Sequence, residues 1–348
     1  MTRRFETYSA EGLQTLVEEL GQPKFRAQQI FEWAYGKGAE TYDDMTNLPT
    51  ALRTQLPEIA PLQLPTVANK QVSQDGTRKY VLKLADGALV ETVGIPSRDK
   101  GADGQPRRLT VCFSTQVGCP MQCDFCATGR EGLTRNLEPG EMAWQVHAVA
   151  RDFGLRASNA VAMGQGEPFL NYEKVLAGLR ILNHAKGLGI GARHITVSTC
   201  GLVEGIERFG TEPEQFTLAL SLHAAQQSTR DKLMPGVSHI PLPQLHQALE
   251  TYCMQSGRRA SLEYLLVQQV NDSPSDLDAL IDFCRGLPCH VNLLPINAVP
   301  GSVYQPCSGA LMNEWVQKLT EAHIQASVRD SRGSDISAAC GQLKNTLS

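Results

Sequence analysis

The feature that most constrains the fold of this chain is a strict alternation of strand and helix patterns that begins at residue 109. Six short apolar runs have the length and composition of buried strands: "LTVCFS", "AVAMG", "HITVST", "FTLALSL", "SLEYLLV" and "VNLLPIN". Amphipathic runs such as "GEMAWQVHAVARDFG" and "SDLDALIDFCRG" lie between them. Strands that alternate with helices in this way predict an α/β fold, in which a parallel sheet is covered by helices.

The segments before this alternation have different patterns and predict two appendages to the sheet. Apolar residues of segment 1–60 recur at helical spacing, so we expect a small N-terminal helical accessory domain there. Segment 61–108 is β-rich, and two alternating runs meet at Asp86-Gly87, which predicts a β-hairpin extension followed by a linker loop. The α/β unit then occupies residues 109–348 and includes a C-terminal segment.

Polar residues gather at the carboxyl ends of the predicted strands, where parallel βα arrays place their functional groups. The residues at these ends include Ser114, Gly166, Glu167, Ser198, Ser221, His223 and Asn297, with Leu222 among them. Ser114 leads directly into "CPMQCDFC", so we expect the cysteines of that motif to lie in the same mouth. Each polar residue alone is compatible with a structural hydrogen bond at a strand end, but their shared placement predicts a binding site.

The motif "CPMQCDFC" places Cys119, Cys123 and Cys126 at C-x3-C-x2-C spacing, with no fourth cysteine or histidine nearby in the sequence. Structural zinc sites use four protein ligands, whereas three thiolates on a 4Fe–4S cluster leave one iron open to another ligand. Phe125 precedes the last cysteine and is expected to shield a cluster from solvent. The spacing therefore favours an iron–sulfur cluster, with a zinc site completed by a distant ligand as the alternative.

Composition places few limits on the partners of this chain. It contains no run of about eighteen apolar residues and its start lacks a signal-peptide pattern, so we expect no membrane association and a cytoplasmic location. The ten cysteines are then expected to be free of structural disulfides. The formal net charge of −4 argues weakly against a nucleic-acid partner, and close arginine pairs such as Arg329 and Arg332 are interpreted as solvated.

The cysteine motif, with an aromatic residue before its third cysteine, resembles that of the radical S-adenosylmethionine superfamily. The segments "STQVGCPMQCDFCATGREGLTRNLEPGE", "MGQGEPFLNY", "SLHA" and "RGSDISAACGQL" further resemble the adenine-methylating RNA enzymes of the RlmN/Cfr family. This resemblance covers essentially the whole chain. It implies a partial (βα)6 barrel and one 4Fe–4S cluster bound by Cys119, Cys123 and Cys126. It also implies that S-adenosylmethionine binds the open iron, with two molecules used per turnover.

The resemblance assigns roles to the predicted mouth and to three further residues. The backbone of Gly166 and the carboxylate of Glu167 would meet the methionine ammonium group, and the other strand-end residues would contact ribose, carboxylate or adenine. Cys340 would accept a methyl group as S-methylcysteine, and a radical made from a second S-adenosylmethionine would remove hydrogen from that methyl. Glu91 would take the ring proton of the substrate, and Cys112 would release the product through a transient disulfide with Cys340.

Without the resemblance, Cys112 has the ordinary interpretation of a buried apolar thiol, and Glu91 that of a solvated strand carboxylate. Two positions depart from the family pattern, because Gln165 stands where Met is more common and Cys200 stands where a small residue is usual. Both residues are similar in size to the usual ones, so they affect only the expected packing around the cofactor. Cys200 is expected to lie close enough to the site to be reactive.

By resemblance, the substrates are an adenosine of 23S rRNA and the adenosine next to the tRNA anticodon, both methylated on carbon 2. The amino-terminal segment and "RNLEPGE" favour this assignment. A Cfr-type enzyme that methylates carbon 8 of the rRNA adenosine uses the same cysteines and is the first alternative, and a non-catalytic iron–sulfur or zinc RNA-binding protein is the second. The resemblance also implies a low-potential electron donor of the flavodoxin or ferredoxin type, and we expect a monomer.

Overall fold

The computed structural model describes residues 3–297, 299 and 301–344, so the ends of the predicted terminal units, 1–2 and 345–348, lie outside the described residues. The N-terminal part contains three α-helices, α1 (Ala10–Glu19), α2 (Phe25–Phe31) and α3 (Thr50–Ile59). Ser9 caps α1, since its hydroxyl accepts a hydrogen bond from the N–H of Gly12 at 3.1 Å. A π-helical turn at Glu32–Gly36 extends α2. The predicted helical N-terminal unit is therefore confirmed.

Three antiparallel strands follow: β1 (Thr66–Val72), β2 (Arg78–Lys83) and β3 (Leu89–Pro96). Strands β2 and β3 form the predicted hairpin, and Gly87 in its turn has φ +86°, a conformation that favours glycine. The sequence patterns do not predict β1, whose residues are mostly exposed. Strand β3 also pairs with the first strand of the α/β unit, with Val93 opposite Cys112. The hairpin therefore extends the main sheet.

The main sheet contains the six predicted strands as parallel neighbours. The strands after β3 are β4 (Leu109–Cys112), β5 (Gln116–Cys119), β6 (Gly132–Asn136), β7 (Asn159–Ala162), β8 (Ile195–Thr199), β9 (Thr217–Ser221), β10 (Ala260–Leu266), β11 (Cys289–Pro295) and β12 (Gln325–Val328). In the described part of the chain, the order across the ten-stranded sheet is β1-β2-β3-β4-β7-β8-β9-β10-β11-β12. Neighbours from β4 to β12 are all parallel. Strand β12 is an addition that the sequence patterns do not predict.

Further helices cover this parallel sheet: α4 (Pro139–Phe153), α5 (Tyr172–Asn183), α6 (Val203–Gly210), α7 (Gln227–Leu233), α8 (Leu242–Ser256), α9 (Pro274–Cys284) and α10 (Gly309–Glu321). Short 3-10 turns lie at Phe5–Thr7, Tyr42–Asp44, Thr128–Arg130, Pro168–Asn171, Ala192–His194, Pro235–Val237 and Ser334–Ile336. Among the described residues, none of the helices combines the length and the apolar character that a membrane span requires. The architecture confirms the predicted partial (βα)6 barrel, with an N-terminal helical unit and a hairpin extension.

Aromatic side chains join the N-terminal unit to the barrel. Trp144 of α4 stacks against Phe5, with ring centroids 6.1 Å apart, and Tyr35 lies beside both rings. All three side chains are almost completely buried. Burial of one large apolar side chain contributes roughly 1.5–3 kcal/mol, so these contacts hold the N-terminal helices against α4.

Strands β5 and β6 form a separate two-stranded sheet that carries the cysteine motif. Because β5 ends at Cys119 and β6 begins at Gly132, the loop between them contains the two other cysteines. Gly118 has φ +80°, and a Cβ atom there would collide with the carbonyl oxygen of Gly132, so this position requires glycine. The N–H of Thr115 donates to the carbonyl of Gln165 at 2.8 Å, which ties the start of this hairpin to the segment after β7.

Candidate active site

A cavity of about 150 Å³ lies at the carboxyl ends of the parallel strands, and we call it the cysteine cavity. Most of the predicted site residues line it: Cys119, Cys123, Cys126, Gly166, Glu167, Ser198, Ser221 and His223. The hydroxyl oxygens of Ser198 and Ser221 lie 3.3 Å apart. Leu222 is fully buried and is not part of this lining, and Asn297 lies in the wall of a neighbouring cavity. With Cys340, which also lines it, the structure brings nine of the predicted residues together around one space.

The cysteine loop is anchored to the segment that follows β9. The N–H of Asp124 donates to the carbonyl of Leu233, the last residue of α7, at 3.0 Å. The N–H of Gly236 donates to the carbonyl of Met121 at 3.1 Å. These two backbone hydrogen bonds hold the loop on the end of α7.

The donor set of the cysteine cavity fits an iron–sulfur cluster. Its three cysteines line one space, and three thiol groups are the donors that an iron–sulfur cluster with one open iron requires. Phe125 packs edge-on against His223, with ring centroids 4.8 Å apart, and so limits access by water. Burial raises the pKa of Cys119 to about 12 and also raises the pKa of Cys126. Bound iron would hold these groups as thiolates, because metal ligation deprotonates a thiol.

Glu167 presents a buried carboxylate to the cysteine cavity. Its Oε1 accepts a hydrogen bond from the N–H of Phe169 at 3.0 Å, and its Oε2 accepts one from the N–H of Cys200 at 2.7 Å. Burial raises the pKa of Glu167, and these hydrogen bonds oppose that shift. Gly166 has φ +106°, and a Cβ atom on it would lie 2.7 Å from the Cβ atom of Gln116, so this turn requires glycine. The pair combines an accessible backbone with a fixed carboxylate, which suits a ligand ammonium group.

His223 is a neutral hydrogen-bond donor at the same cavity. Its Nδ1 accepts a hydrogen bond from the N–H of Leu265 at 3.1 Å, and its carbonyl accepts one from Asn271 at 2.6 Å. Burial lowers the pKa of His223 to about 3, and the charge of Arg230 adds to the effect. Since Nδ1 is an acceptor, the proton of the neutral ring is assigned to Nε2.

A second cavity of about 250 Å³ adjoins the first, and we call it the Cys112 cavity. Cys112 and Asn297 line it, whereas Arg329 and Cys340 line both cavities. Cys340 is exposed and Cys112 is buried, and burial raises the pKa of Cys112 to about 12. The Nδ2 of Asn297 donates to the carbonyl of Cys340 at 3.2 Å. Cys340 therefore lies in the wall between the two cavities and shares the second with Cys112.

The C-terminal segment is held on both sides of Cys340. Before it, Arg332 forms an ion pair of 2.8 Å with Asp75 in the turn between β1 and β2. After it, the carbonyl of Gly341 accepts a hydrogen bond of 2.8 Å from the N–H of Ala127 in the cysteine loop. The turn between β1 and β2 and the cysteine loop together position Cys340.

Glu91 on β3 is fully buried, so its ordinary interpretation as a solvated carboxylate is wrong. The Nζ of Lys79 lies 3.5 Å from its Oε1, and the N–H of Lys344 donates to its Oε2 at 2.8 Å. Glu91 is two positions from Val93, the strand partner of Cys112. The carboxylate therefore lies close to the Cys112 cavity but is covered by the C-terminal segment.

Glu91 leads to a prediction about stability and pH. Burial raises the pKa of Glu91 to about 7, and Lys79 opposes the shift. Because the folded pKa exceeds the unfolded value of about 4.3, the folded protein loses stability as the pH rises between these two values. In the wild type this decrease in the free energy of unfolding amounts to about 3 kcal/mol, and the Glu91→Gln variant is expected not to show it. Denaturant titrations from about pH 5 to about pH 8 should show a flatter free energy of unfolding for the variant.

The matched control for this measurement is Glu58→Gln, since Glu58 is an exposed glutamate on α3. Its free energy of unfolding should follow the same pH dependence as that of the wild type. Equal slopes for the wild type and the Glu91→Gln variant would contradict the assignment.

Two residues of the site are missing from the sequence prediction. Glu263 lines the cysteine cavity and forms an ion pair of 3.5 Å with Arg329. The interpretation of Arg329 and Arg332 as solvated is wrong, because Arg329 also approaches the sulfur of Met163 at 3.5 Å and Arg332 is paired with Asp75. Glu263 is the single charge in "SLEYLLV", a signal that could have identified it. Arg329 has no such signal, because it follows the unpredicted strand β12.

Comparisons with known proteins agree with this geometry. The family model "Ribosomal RNA large subunit methyltransferase N-terminal domain" matches residues 7–62, and the model "Radical SAM superfamily" matches residues 113–240. A protein of Gloeobacter violaceus named "Probable dual-specificity RNA methyltransferase RlmN" is 44% identical over 344 residues, which cover 99% of this chain and 96% of that protein. A protein of the same name from Acaryochloris marina is 44% identical over 325 residues, which cover 93% of this chain and 90% of that protein.

A solved structure shows that the similarity extends to the whole fold. The crystal structure of a radical SAM methyltransferase from Sphaerobacter thermophilus superposes with a TM-score of 0.91 at 43% identity, and covers 99% of this chain and 100% of that one. The identity of these relatives and the share of the chain they cover are far above what a shared fold alone requires. The chain therefore belongs to the RlmN family of radical S-adenosylmethionine RNA methyltransferases.

Proposed function

We propose that this enzyme methylates carbon 2 of an adenosine in 23S rRNA and of the adenosine next to the tRNA anticodon. The relatives named above are described as dual-specificity RNA methyltransferases, which supports two RNA substrates. The observation that carries the chemical proposal is the position of Cys340 in the wall between two cavities, with the three motif cysteines in one and Cys112 in the other. A side chain at this position can exchange groups with ligands on both sides.

In this mechanism the three motif cysteines would hold one 4Fe–4S cluster, which would leave a place for S-adenosylmethionine in the cysteine cavity. When bound, the cluster and S-adenosylmethionine supply a radical that removes a hydrogen atom from a methyl group on the protein. Glu167 and Gly166 receive the methionine ammonium group, since two backbone N–H groups already fix the carboxylate. His223 donates a hydrogen bond from Nε2 to the cofactor. Two molecules of S-adenosylmethionine serve each turnover, one as the methyl donor and one as the radical source.

Cys340 is the proposed methyl acceptor. Its thiolate attacks the sulfonium methyl group, so that a new S–C bond forms while the old one breaks and S-adenosylhomocysteine leaves. Arg329 lines both cavities together with Cys340, so a positive charge lies in the space around this thiol. Asn297 holds the carbonyl of Cys340 and so orients the residue.

The methyl group is proposed to reach adenine as a carbon radical. Carbon 2 lies between two ring nitrogens and is electron-poor, so it does not attack an electrophilic methyl group. The methylene radical on Cys340 instead adds to carbon 2 and links the protein covalently to RNA. The adduct radical then gives up one electron, for which the oxidised cluster would be the acceptor. Glu91 accepts the ring proton, because a carboxylate with a pKa of about 7 is suited to proton transfer near neutral pH. The N–H of Lys344 occupies one of its oxygens, so the C-terminal segment must shift for this step.

Cys112 is proposed to release the product. Its sulfur gives up its proton and forms a bond with the sulfur of Cys340. The bond between Cys340 and the transferred carbon breaks with its electron pair on that carbon, which takes up the proton and becomes the methyl group of the released base. Burial raises the pKa of Cys112 to about 12, and the charge of Arg329 opposes this shift. The thiol therefore stays protonated until the adduct forms. A thiol reductant then restores both cysteines from the disulfide.

We assign three further properties as part of the same proposal. A low-potential donor of the flavodoxin or ferredoxin type supplies the electron, and the enzyme acts as a monomer in the cytoplasm. The target adenosine is unstacked from its neighbours, because sequence-specific recognition of RNA commonly uses single-stranded loops whose bases can be splayed out.

Nucleoside analysis of 23S rRNA and tRNA tests the proposed activity. Both RNAs from a deletion strain should lack 2-methyladenosine, and restoring the gene should return it. Restoration of 8-methyladenosine alone would support the Cfr-type alternative. The non-catalytic alternative requires that the anaerobically reconstituted protein releases no 5′-deoxyadenosine from S-adenosylmethionine, whereas we expect this product.

A further inference from the structure

Arg230 on α7 is a completely buried guanidinium beside the cysteine loop. Its Nη2 donates to the carbonyl of Cys200 at 2.6 Å. Its Nε and Nη1 have no hydrogen-bond partner within the part of the chain that the structure describes. A buried charge with unmet hydrogen bonds is costly unless an opposite charge compensates it, so the position of Arg230 requires an explanation.

The groups around Arg230 belong to the cysteine cavity. Burial lowers the pKa of Arg230, and the groups that act electrostatically in the opposite direction are led by Cys200 and Cys123. Helix α7 is also the element on which the cysteine loop is anchored, through the hydrogen bond between Asp124 and Leu233. The buried cation therefore lies beside the cysteine cavity, to which Cys200 connects it.

Cys200 connects the same ligand to the rest of the site. Its N–H donates to Glu167, and its carbonyl accepts from Arg230. Its side chain lines the cysteine cavity together with Cys123. It does not belong to the C-x3-C-x2-C motif, so it is a fourth thiol at the proposed position of the cluster.

We propose that Arg230 and Cys200 are positioning residues that raise the reduction potential of the cluster from its Cys123 side. This role rests on the proposed binding of a 4Fe–4S cluster by the three motif cysteines. Three thiolates make the cluster anionic, and one-electron reduction by a low-potential donor adds a further negative charge. A buried cation and a thiol S–H group in the wall of the same cavity stabilise the reduced form more than the oxidised form.

The same arrangement couples cluster binding to stability. Without a cluster, the charge of Arg230 is buried while its Nε and Nη1 have no partner among the described residues. A cluster bound by three thiolates would bring compensating negative charge into the adjoining cavity. The loaded protein should therefore gain stability from Arg230, whereas the cluster-free protein should be destabilised by it.

A redox titration monitored by electron paramagnetic resonance tests the effect on potential. Wild type and variants are reconstituted anaerobically with iron and sulfide, and the reduced cluster is quantified at set potentials with mediators and dithionite. In Arg230→Met we expect the ratio of reduced to oxidised cluster at a fixed potential to fall about tenfold, a shift of about 59 mV to more negative potential. Arg230→Lys should recover part of this shift, because it retains the charge.

The Cys200 variants separate the hydrogen bond from the packing. Cys200→Ala should shift the potential in the same direction as Arg230→Met but less far, because only an S–H donor is lost. Cys200→Ser retains a donor and should stay closer to the wild-type value than Cys200→Ala. If Arg230→Met fails to fold, these two variants still test whether Cys200 affects the reduction potential. Equal potentials for Cys200→Ala and Cys200→Ser would overturn the role of Cys200.

Thermal unfolding of the cluster-free and loaded proteins provides a second readout. The increase in Tm on loading should be larger in wild type than in Arg230→Met, since only wild type relieves a buried charge. The matched control is Arg258→Met, because the Nε of Arg258 also lacks a partner among the described residues. Its Nη2 donates to the hydroxyl of Thr217 at 2.8 Å. Thr217 begins β9, so Arg258 lies at the end of the sheet opposite to the cysteine cavity. This control should keep the wild-type potential and the wild-type gain in Tm.

The two levels of the proposal fail in different ways. Wild-type protein that binds no iron and sulfide after reconstitution would remove the proposed cluster itself. A loaded wild type whose potential and gain in Tm equal those of Arg230→Met would leave the cluster in place but would overturn the role of Arg230.

Discussion

The Cys340→Ala variant is expected to lose RNA methylation by roughly 10⁴-fold or more, as enzymes do when a covalent nucleophile is removed. Among the described residues, two cysteines line both cavities, Cys340 and Cys126, and Cys126 is a proposed cluster ligand. No other thiol is therefore in a position to replace Cys340. Iron and sulfide content should remain at the wild-type level, because Cys340 is not one of the proposed ligands. The measurement is 2-methyladenosine formation on RNA by mass spectrometry, with the anaerobically reconstituted enzyme.

The control for this variant is Cys253→Ala, which removes a buried thiol on α8 that contacts Pro288 at 3.6 Å, far from both cavities. It should methylate RNA like the wild type. Peptide mass spectrometry of the wild type should also show one extra methyl group on Cys340. Wild-type activity in Cys340→Ala would exclude the S-methylcysteine mechanism.

The Cys112→Ala variant is expected to accumulate a covalent complex with RNA. Radical addition through Cys340 precedes resolution, and without Cys112 the bond between protein and base persists. The adduct should appear as a slowly migrating, RNA-containing band on a denaturing gel, in an amount close to that of active enzyme, whereas wild type should show almost none. Multiple turnover should be abolished in the same variant.

The double variant Cys112→Ala/Cys340→Ala separates this adduct from unspecific cross-linking. It lacks the attachment residue and should form no adduct under the same conditions. Free product at the wild-type rate from Cys112→Ala, with no adduct, would show that another group resolves the intermediate.

The parallel part of the fold was predictable because its signals are local. Each of the six strands is an apolar run between amphipathic helices, and burial on both faces makes such runs visible in the sequence. Strands β1, β5, β6 and β12 lack this pattern, since they are short or exposed and depend on their partners for pairing. The C-terminal strand β12 was therefore missed, and with it the placement of Arg329.

The residues of the site likewise divide into those that local patterns predict and those that only the fold brings together. Cys119, Cys123 and Cys126 lie within one loop, so their spacing alone indicates the cluster, and the strand-end residues follow from the βα pattern. Cys340 and Cys112 are 228 positions apart in the chain, and without a family resemblance nothing local connects them. Arg230 resembles any other arginine on a short helix until its burial is known.

The sequence by itself determined the parallel βα array, the cysteine motif and the membership of a family, because each depends on residue types at short, regular spacing. Only the tertiary structure decided that Cys340 lies between two cavities, that Glu91 is buried beside Lys79, and that Arg230 is a buried cation whose Nε and Nη1 lack a partner in the described part of the chain. Burial and electrostatic neighbours determine what an ionisable side chain does, and both arise from segments that meet only in the folded chain.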